Sequence, residues 1–303
     1  MPAVLKHTVQ PEENGKTVER LLKRSYGISS KLMTALKLSG RLSLNGVPCR
    51  SVDIVHPGDT VSADVSENTA ADGIVPTEMP LDILFEDDYI LVVSKPGGLE
   101  VHPSIGNFSG TLANAVMYYW AQNGEYHKYH IANRLDKDTS GLCVIAKNSY
   151  AHSRLSVQLR DKSFGRKYTA IVHGVLRESR GSIEIPIKRD EGSILKRIAA
   201  PDGKYAKTNY KTLYTIGNSF SVVEIELETG RTHQIRVHFS HIGHPLVGDW
   251  LYGSGDSERQ LICRQALHAG TVDFRHPADL APMHFDAVLP DEMLQLIEKL
   301  KYF

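Results

Sequence analysis

The chain lacks any hydrophobic run near the ~18 residues that a membrane-spanning helix requires, so no such helix is expected. Its first residues, MPAVLKHTVQPEENGK, lack the apolar core of a secretory leader, and the expectation is a cytoplasmic protein. Cysteine is scarce. Cys49, Cys143 and Cys263 stand far apart with no Cys-x-x-Cys, which leaves no disulfide framework, argues against structural zinc and fits a reducing compartment. Net charge is also missing: 35 Lys and Arg balance 35 Asp and Glu, an average that argues against a nucleic-acid partner. There is no internal repeat and no low-complexity tract, which excludes a solenoid.

What is present is unevenly distributed. Residues 131–170 carry eight basic and three acidic side chains, a local +5, and residues 1–66 carry nine against six, a local +3. A basic stripe on a neutral protein is therefore compatible with the composition. The 303 residues, 41% hydrophobic and 23% charged, suit one large domain plus a small one. In GKTVERLLKRSYG, Val18, Leu21 and Leu22 recur at helical spacing before Gly27. ISSKLMTALKLSG predicts a second helix with Leu32, Ala35, Leu36 and Leu38 inward and Lys31, Lys37 and Arg41 outside. Two short strands, RLSLNG and GDTVSADV, follow. Residues 1–66 thus read as a small module, the polar residues 67–79 as a linker, and residues 80–303 as a mixed α+β body on a large sheet.

The segment ANRLDKDTSGL (residues 132–142) places Asp136 and Asp138 beside Arg134 and Lys137, ahead of LCVIAK, which reads as a buried strand. It could be a solvated turn. It could be half a calcium loop, but the twelfth position is Lys147, where a bidentate Glu is needed. Or a carboxylate here could react, which requires a cation to keep it ionised and a pocket to hold a substrate. Candidate company exists in TGRTHQIRVH (Arg231, His233, Arg236), in Tyr168 of GRKYTAIVHG, and in the turn SKPGGLEVHPS. His233, His238, His241 and His244 could place two metal ligands on one helix face, but not a full tetrahedral set.

YILVVSKPGGLEVHPS, NRLDKDTSGLCVIAKN, RKYTAIVHG, TGRTHQIRVHFSHIGHPLVGDWLYG and LHAGTVDFRHP occur in an order and spacing that closely resemble the RluA family of pseudouridine synthases. Residues 16–64 resemble the RNA-binding module first seen in ribosomal protein S-four. The resemblance implies an α+β fold, a large mixed and mostly antiparallel sheet flanked by helices, with the small module in front. It implies isomerisation of uridine in RNA: the N1–C1′ bond breaks, the uracil rotates and a C5–C1′ bond forms. No metal or cofactor is implied, and the expected partner is ribosomal or transfer RNA, with large-subunit ribosomal RNA favoured by the S-four-like module. A monomer is expected. By the same resemblance Asp136 is the essential carboxylate, Arg236 its cation and Tyr168 the aromatic face for the uracil, worth ~1–3 kcal/mol if it stacks. Arg134 would occupy the space left by the flipped base. Lys167, Arg231, Lys31, Lys37 and Arg41 would contact RNA. The family's His-Arg-Leu-Asp reads Asn133-Arg134-Leu135-Asp136 here, and Asn133 is expected to tune RNA positioning, since an amide cannot titrate near neutral pH. The alternatives are a non-catalytic RNA-binding or ribosome-assembly protein on the same fold, or a carbohydrate-active hydrolase with a second essential carboxylate.

Overall fold

The computed structural model describes residues 3–67, 73–253 and 255–302. Local signals build the first part. After strand β1 (Val4–Thr8), helix α1 (Val18–Tyr26) starts where the Arg20 amide donates to Thr17 Oγ1 at 3.2 Å and stops at Gly27, which adopts φ +63°. Val18, Leu21 and Leu22 are fully buried, in line with their spacing. Helix α2 (Ser30–Leu38) is capped by Ser29 and buries Met33 and Leu36, with Leu32 at the margin. Ala35 and Leu38 are exposed, contrary to expectation, because the inward stripe runs through Met33 and leaves Leu38 85% exposed beyond its edge. Strands β2 (Leu42–Leu44), β3 (Val47–Pro48) and β4 (Thr60–Asp64) complete a four-stranded sheet in the order β1-β4-β2-β3.

The body begins with β5 (Asp82–Glu86), β6 (Ile90–Lys95) and α3 (Leu112–Gln122). Strands β7 (His130–Ile131) and β8 (Ser140–Ala146) flank the NRLDKDT turn, and α4 (Ser149–Arg160) leads to β9 (Gly165–His173). Then come β10 (Arg180–Glu184), β11 (Ile187–Arg189), β12 (Arg197–Ala199), β13 (Lys207–Ile216) and β14 (Phe220–Leu227). Helix α5 (Gln234–His241), β15 (Leu267–Arg275), β16 (Pro282–Asp286) and α6 (Asp291–Leu300) complete the chain. Ten strands form one sheet in the order β10-β13-β14-β9-β15-β8-β6-β5, with β16 on β15 and β7 on β8. Only the β15–β8 pair is parallel, so the sheet is mixed and mostly antiparallel, as expected.

Period-two alternation divides the core into two layers. Leu91, Val93, Cys143, Ile145, Tyr168 and Ala170 pack with Trp120 of α3 and Phe239 of α5 on one face. Ile90, Val92, Leu142 and Val144 pack on the other, in a cluster that includes Tyr150 and Leu155 of α4 and continues into Leu21 and Leu22 of α1. Strand β8 is buried along all seven residues because both of its faces are covered. The connection between the two parts is pinned at both ends. The Ser149 amide donates to Glu67 at 3.2 Å, and Asn114 Nδ2 donates to Val75 O at 2.7 Å. Residues 68–72, the middle of the expected linker, lie outside the described residues.

One glycine aligns the site. Gly141 has φ +115°, and a Cβ there would sit 2.2 Å from Ala269 O. Glycine is thus required for the parallel approach of β8 to β15. The register then places Gly141, Ala269 and Tyr168 in one row across β8, β15 and β9.

Candidate active site

Asp136 sits in the turn before β8, with the Thr139 amide donating to its carbonyl at 3.1 Å. Its side chain opens into a cleft of about 480 Å³ on the α3/α5 side, lined also by Arg134, Arg166, Tyr168, Arg231 and His233. That volume is within the usual range for a small-ligand pocket.

Arg236, on α5, is the cation nearest Asp136. Its Nη1 donates to Asp136 Oδ2 at 3.2 Å, although the two residues are a hundred positions apart. The guanidinium is itself fixed from behind: Nε and Nη2 donate to Asp249 Oδ2 and Oδ1 at 2.7 and 2.9 Å, and its Cζ lies over the ring of Tyr252, 5.0 Å from the centroid. Burial works against the charge on Arg236, but the two carboxylates outweigh it and raise the pKa above its ordinary value. Asp249 is fully buried and also accepts from the Leu251 and Tyr252 amides at 3.0 and 3.1 Å.

His233 caps α5 in the left-handed region at φ +57°. Its Nε2 lies 3.8 Å from Asp136 Oδ2, and its Nδ1 is 2.8 Å from Tyr252 Oη, which already accepts from the Arg197 amide. We assign the Tyr252 hydroxyl proton to that Nδ1 contact, which leaves the imidazole proton on Nε2 facing Asp136. Burial holds the His233 pKa below its usual value, against the pull of Asp136 and Asp249. Gln234 locks the same corner by accepting from Thr229 Oγ1 and the Arg231 amide while donating to Thr208 Oγ1.

The residues singled out in the sequence are placed as follows. Asp136, Arg236 and Tyr168 meet at the cleft, and Tyr168 is buried, its hydroxyl pKa pushed up by burial. Arg134 is exposed at the cleft and makes no ion pair among the described residues. Arg231 reaches the rim and donates to Tyr205 O at 2.9 Å. Asn133 and Lys167 differ in their surroundings. Asn133 is buried in the wall of the cleft: Nδ2 donates to Leu142 O at 2.9 Å and Oδ1 accepts from the Val144 amide at 2.8 Å, so the side chain acts as an extra rung on β8. Lys167 is exposed and absent from the cleft lining, because strand alternation turns Arg166, not Lys167, to the Tyr168 side. In the N-terminal part, Lys31 is exposed and has no ion pair among the described residues. Lys37 pairs with Glu19 at 2.5 Å, and Arg41 Nη1 donates to Ser66 O at 2.6 Å. The four histidines are dispersed in their bonding: His238 is held between Thr208 Oγ1 and Ile185 O, and His244 contacts His173 O. Sequence reasoning missed Asp249 and Arg166. Asp249 carried a signal, since an acid between Val247-Gly248 and Trp250-Leu251 has an apolar setting that demands a cation.

The chain is similar to several known proteins. A family model for RNA pseudouridylate synthase matches residues 89–241, half of the chain. The RNA pseudouridine synthase YhcT of Bacillus subtilis is 39% identical over 95% of this chain and 94% of its own length. The ribosomal large subunit pseudouridine synthase D of Pseudomonas aeruginosa is 39% identical over 86% of this chain and 84% of its own. Among solved structures, human RNA pseudouridylate synthase domain containing 4 is similar at a TM-score of 0.58 and 25% identity, covering 73% of this chain and 93% of that one.

Proposed function

The chain belongs to the RNA pseudouridylate synthase family, isomerases acting on RNA, and from that premise we propose that Asp136 is the reacting carboxylate, with large-subunit ribosomal RNA as the substrate. The observation that carries the assignment of Asp136 is its contact with a cation that is fixed in turn by a second, buried carboxylate. Arg236 can stabilise the carboxylate without moving during the reaction, which is how preorganised charge lowers a barrier. A uridine flipped into the cleft would present its ribose C1′ and uracil ring between Asp136 and the ring of Tyr168. Flipping costs a few kcal/mol, and Arg134, which no carboxylate holds among the described residues, is the side chain placed to fill the vacated stack. The His233 Nε2–H offers a donor beside the carboxylate, and Arg166 a cation for a flanking phosphate.

The preference for large-subunit ribosomal RNA rests on the relative from Pseudomonas aeruginosa and its counterparts in Zymomonas mobilis and Xylella fastidiosa, which bear that substrate in their names. Residues 1–66 are proposed to be an S-four-like RNA-binding module that contacts phosphate through Lys31 and its neighbours, residues 80–303 the catalytic domain, and the enzyme a cytoplasmic monomer. Among the described residues no helix is long and apolar enough to cross a membrane. The test is a pseudouridine map of cellular RNA with and without the gene, followed by treatment of the unmodified transcript with purified protein. Loss and restoration of a site in large-subunit ribosomal RNA is expected. Loss confined to transfer RNA would overturn the substrate assignment.

A further inference from the structure

Behind the Asp136 turn lie two buried cations that the chemistry outlined above does not use. Lys95 ends β6 and is buried; its Nζ donates to Pro96 O and Leu99 O at 2.8 Å and to Lys137 O at 2.9 Å. Arg264, just ahead of β15, is buried as well. Its Nη1 donates to Asp138 O at 3.0 Å and to Gln265 O and Leu267 O at 3.1 Å, and its Nη2 donates to Ser140 Oγ at 3.1 Å. The two cations therefore grip consecutive carbonyls, those of residues 137 and 138, immediately after Asp136. Among the described residues no carboxylate bonds to the Lys95 amine, and burial pushes its pKa down to about 8. Among the described residues Arg264 has a single carboxylate partner, Glu292 in the first turn of α6, at 2.8 Å from Nε and 2.6 Å from Nη2. The Lys-Pro-Gly-Gly turn is shaped around this side chain, since a Cβ on Gly97 would sit 2.4 Å from Arg264 Nε.

We propose that Lys95 and Arg264 are positioning residues that hold the Asp136 turn in its reactive geometry, with Glu292 of α6 anchoring Arg264. The inference rests on the reading of Asp136 as the reacting group. A carbonyl accepts well from a fixed cation along a narrow range of directions, so two such bonds on neighbouring peptides define the plane of the turn and the exit of the Asp136 side chain. The C-terminal helix is thereby coupled to the catalytic turn without touching the cleft.

The experiment compares Arg264→Lys and Glu292→Ala with the unaltered enzyme. Lysine cannot reach the three carbonyls, Ser140 and Glu292 at once. In Arg264→Lys, kcat should fall by about tenfold to a hundredfold, the scale of a misplaced reacting group, while KM and the Kd for RNA stay within about twofold. Glu292→Ala should fall between the two enzymes. Hydrogen exchange at the Thr139 and Ser140 amides should speed up in both variants while α3 keeps its protection. Unchanged kcat in both, or a loss of RNA affinity in proportion to the loss of kcat, overturns the proposal. If Arg264→Lys does not fold, Glu292→Ala decides by the same criteria. An active Asp136→Asn enzyme would defeat the reading beneath the proposal. Full kcat in Arg264→Lys and Glu292→Ala beside an inactive Asp136→Asn would defeat the proposal alone.

Discussion

Asp249 never reaches the cleft, yet removing it should disable the enzyme. Its carboxylate makes both bonds that fix Arg236 from behind and accepts two backbone amides besides. In Asp249→Ala the guanidinium stays buried, with Asp136, at 3.2 Å, as its remaining carboxylate partner among the described residues. Breaking one side of a buried pair costs about 3–5 kcal/mol, a large part of a typical total stability of about 5–15 kcal/mol. At roughly 2 °C per kcal/mol for a chain of this size, the melting temperature should fall by about 6–10 °C. Activity should fall further than stability explains. A guanidinium no longer held from behind will turn toward Asp136, and displacement of the carboxylate by an ångström is worth roughly a hundredfold in rate. Asp249→Asn keeps the shape and one carbonyl for the Leu251 and Tyr252 amides, so it should melt at an intermediate temperature and remain strongly impaired. The assays are thermal melts and tritium release from RNA containing 5-tritiated uridine, since C5 loses its hydrogen when it bonds to C1′. A melting temperature unchanged in Asp249→Ala, with normal tritium release, would refute the argument that Arg236 depends on this partner.

Three further outcomes follow from the same structure. Asn133→Ala leaves Leu142 O and the Val144 amide without their partner, at about 1–3 kcal/mol for each group left unpaired, and denaturant titration should register the loss even where RNA affinity is retained. Arg134→Ala should do the opposite: the side chain is exposed and has no ion pair among the described residues, so stability should hold within about 0.5 kcal/mol while turnover on structured RNA falls, and a destabilised but fully active variant would show a structural role instead. His276 sets a pH dependence. Burial lowers its pKa, but contacts of 2.8 and 2.9 Å with Asp87 and Asp279 outweigh burial and raise it. With the folded value above the unfolded one, its stabilisation is complete below about pH 6.5 and is lost as pH rises through the folded pKa. The stability difference between the native protein and His276→Gln should therefore shrink from pH 6 to pH 8, and a difference that grew would reverse the sign of the argument.

Much of this architecture was legible because the signals were local. Thr17 and Gly27 bound α1 as their residue types require, and the apolar run of β8 identifies a strand covered on both faces. Less was legible where the signal depends on distant parts of the chain. β15 lies in the middle of the sheet, yet LHAGTVDFR alternates poorly, being interrupted by Gly270 and by His268, which contacts Ser140 Oγ. Of the neighbours Arg166 and Lys167, it is Arg166 that lines the cleft, a distinction the sequence reading did not draw because in a strand one residue changes the face. Asn133 was read as tuning RNA positioning because it stands where the resembled family has His. Its side chain also pairs with the backbone of a strand that begins seven residues later, which composition and spacing do not reveal. Asp249 and Arg264 act through residues more than ten and more than a hundred positions away, beyond the reach of any local pattern.

The central claim is that the Asp136 carboxylate reacts. Asp136→Asn keeps nearly the same shape and can still accept from Arg236 Nη1 through its carbonyl oxygen, but it carries no charge and is a poor nucleophile. Purified Asp136→Asn, shown to be folded by its melting curve and to bind the target RNA with near-native affinity, should release no tritium from 5-tritiated uridine RNA even in a single turnover with excess enzyme. Pseudouridine formed by that variant at a substantial fraction of the native rate would contradict the account.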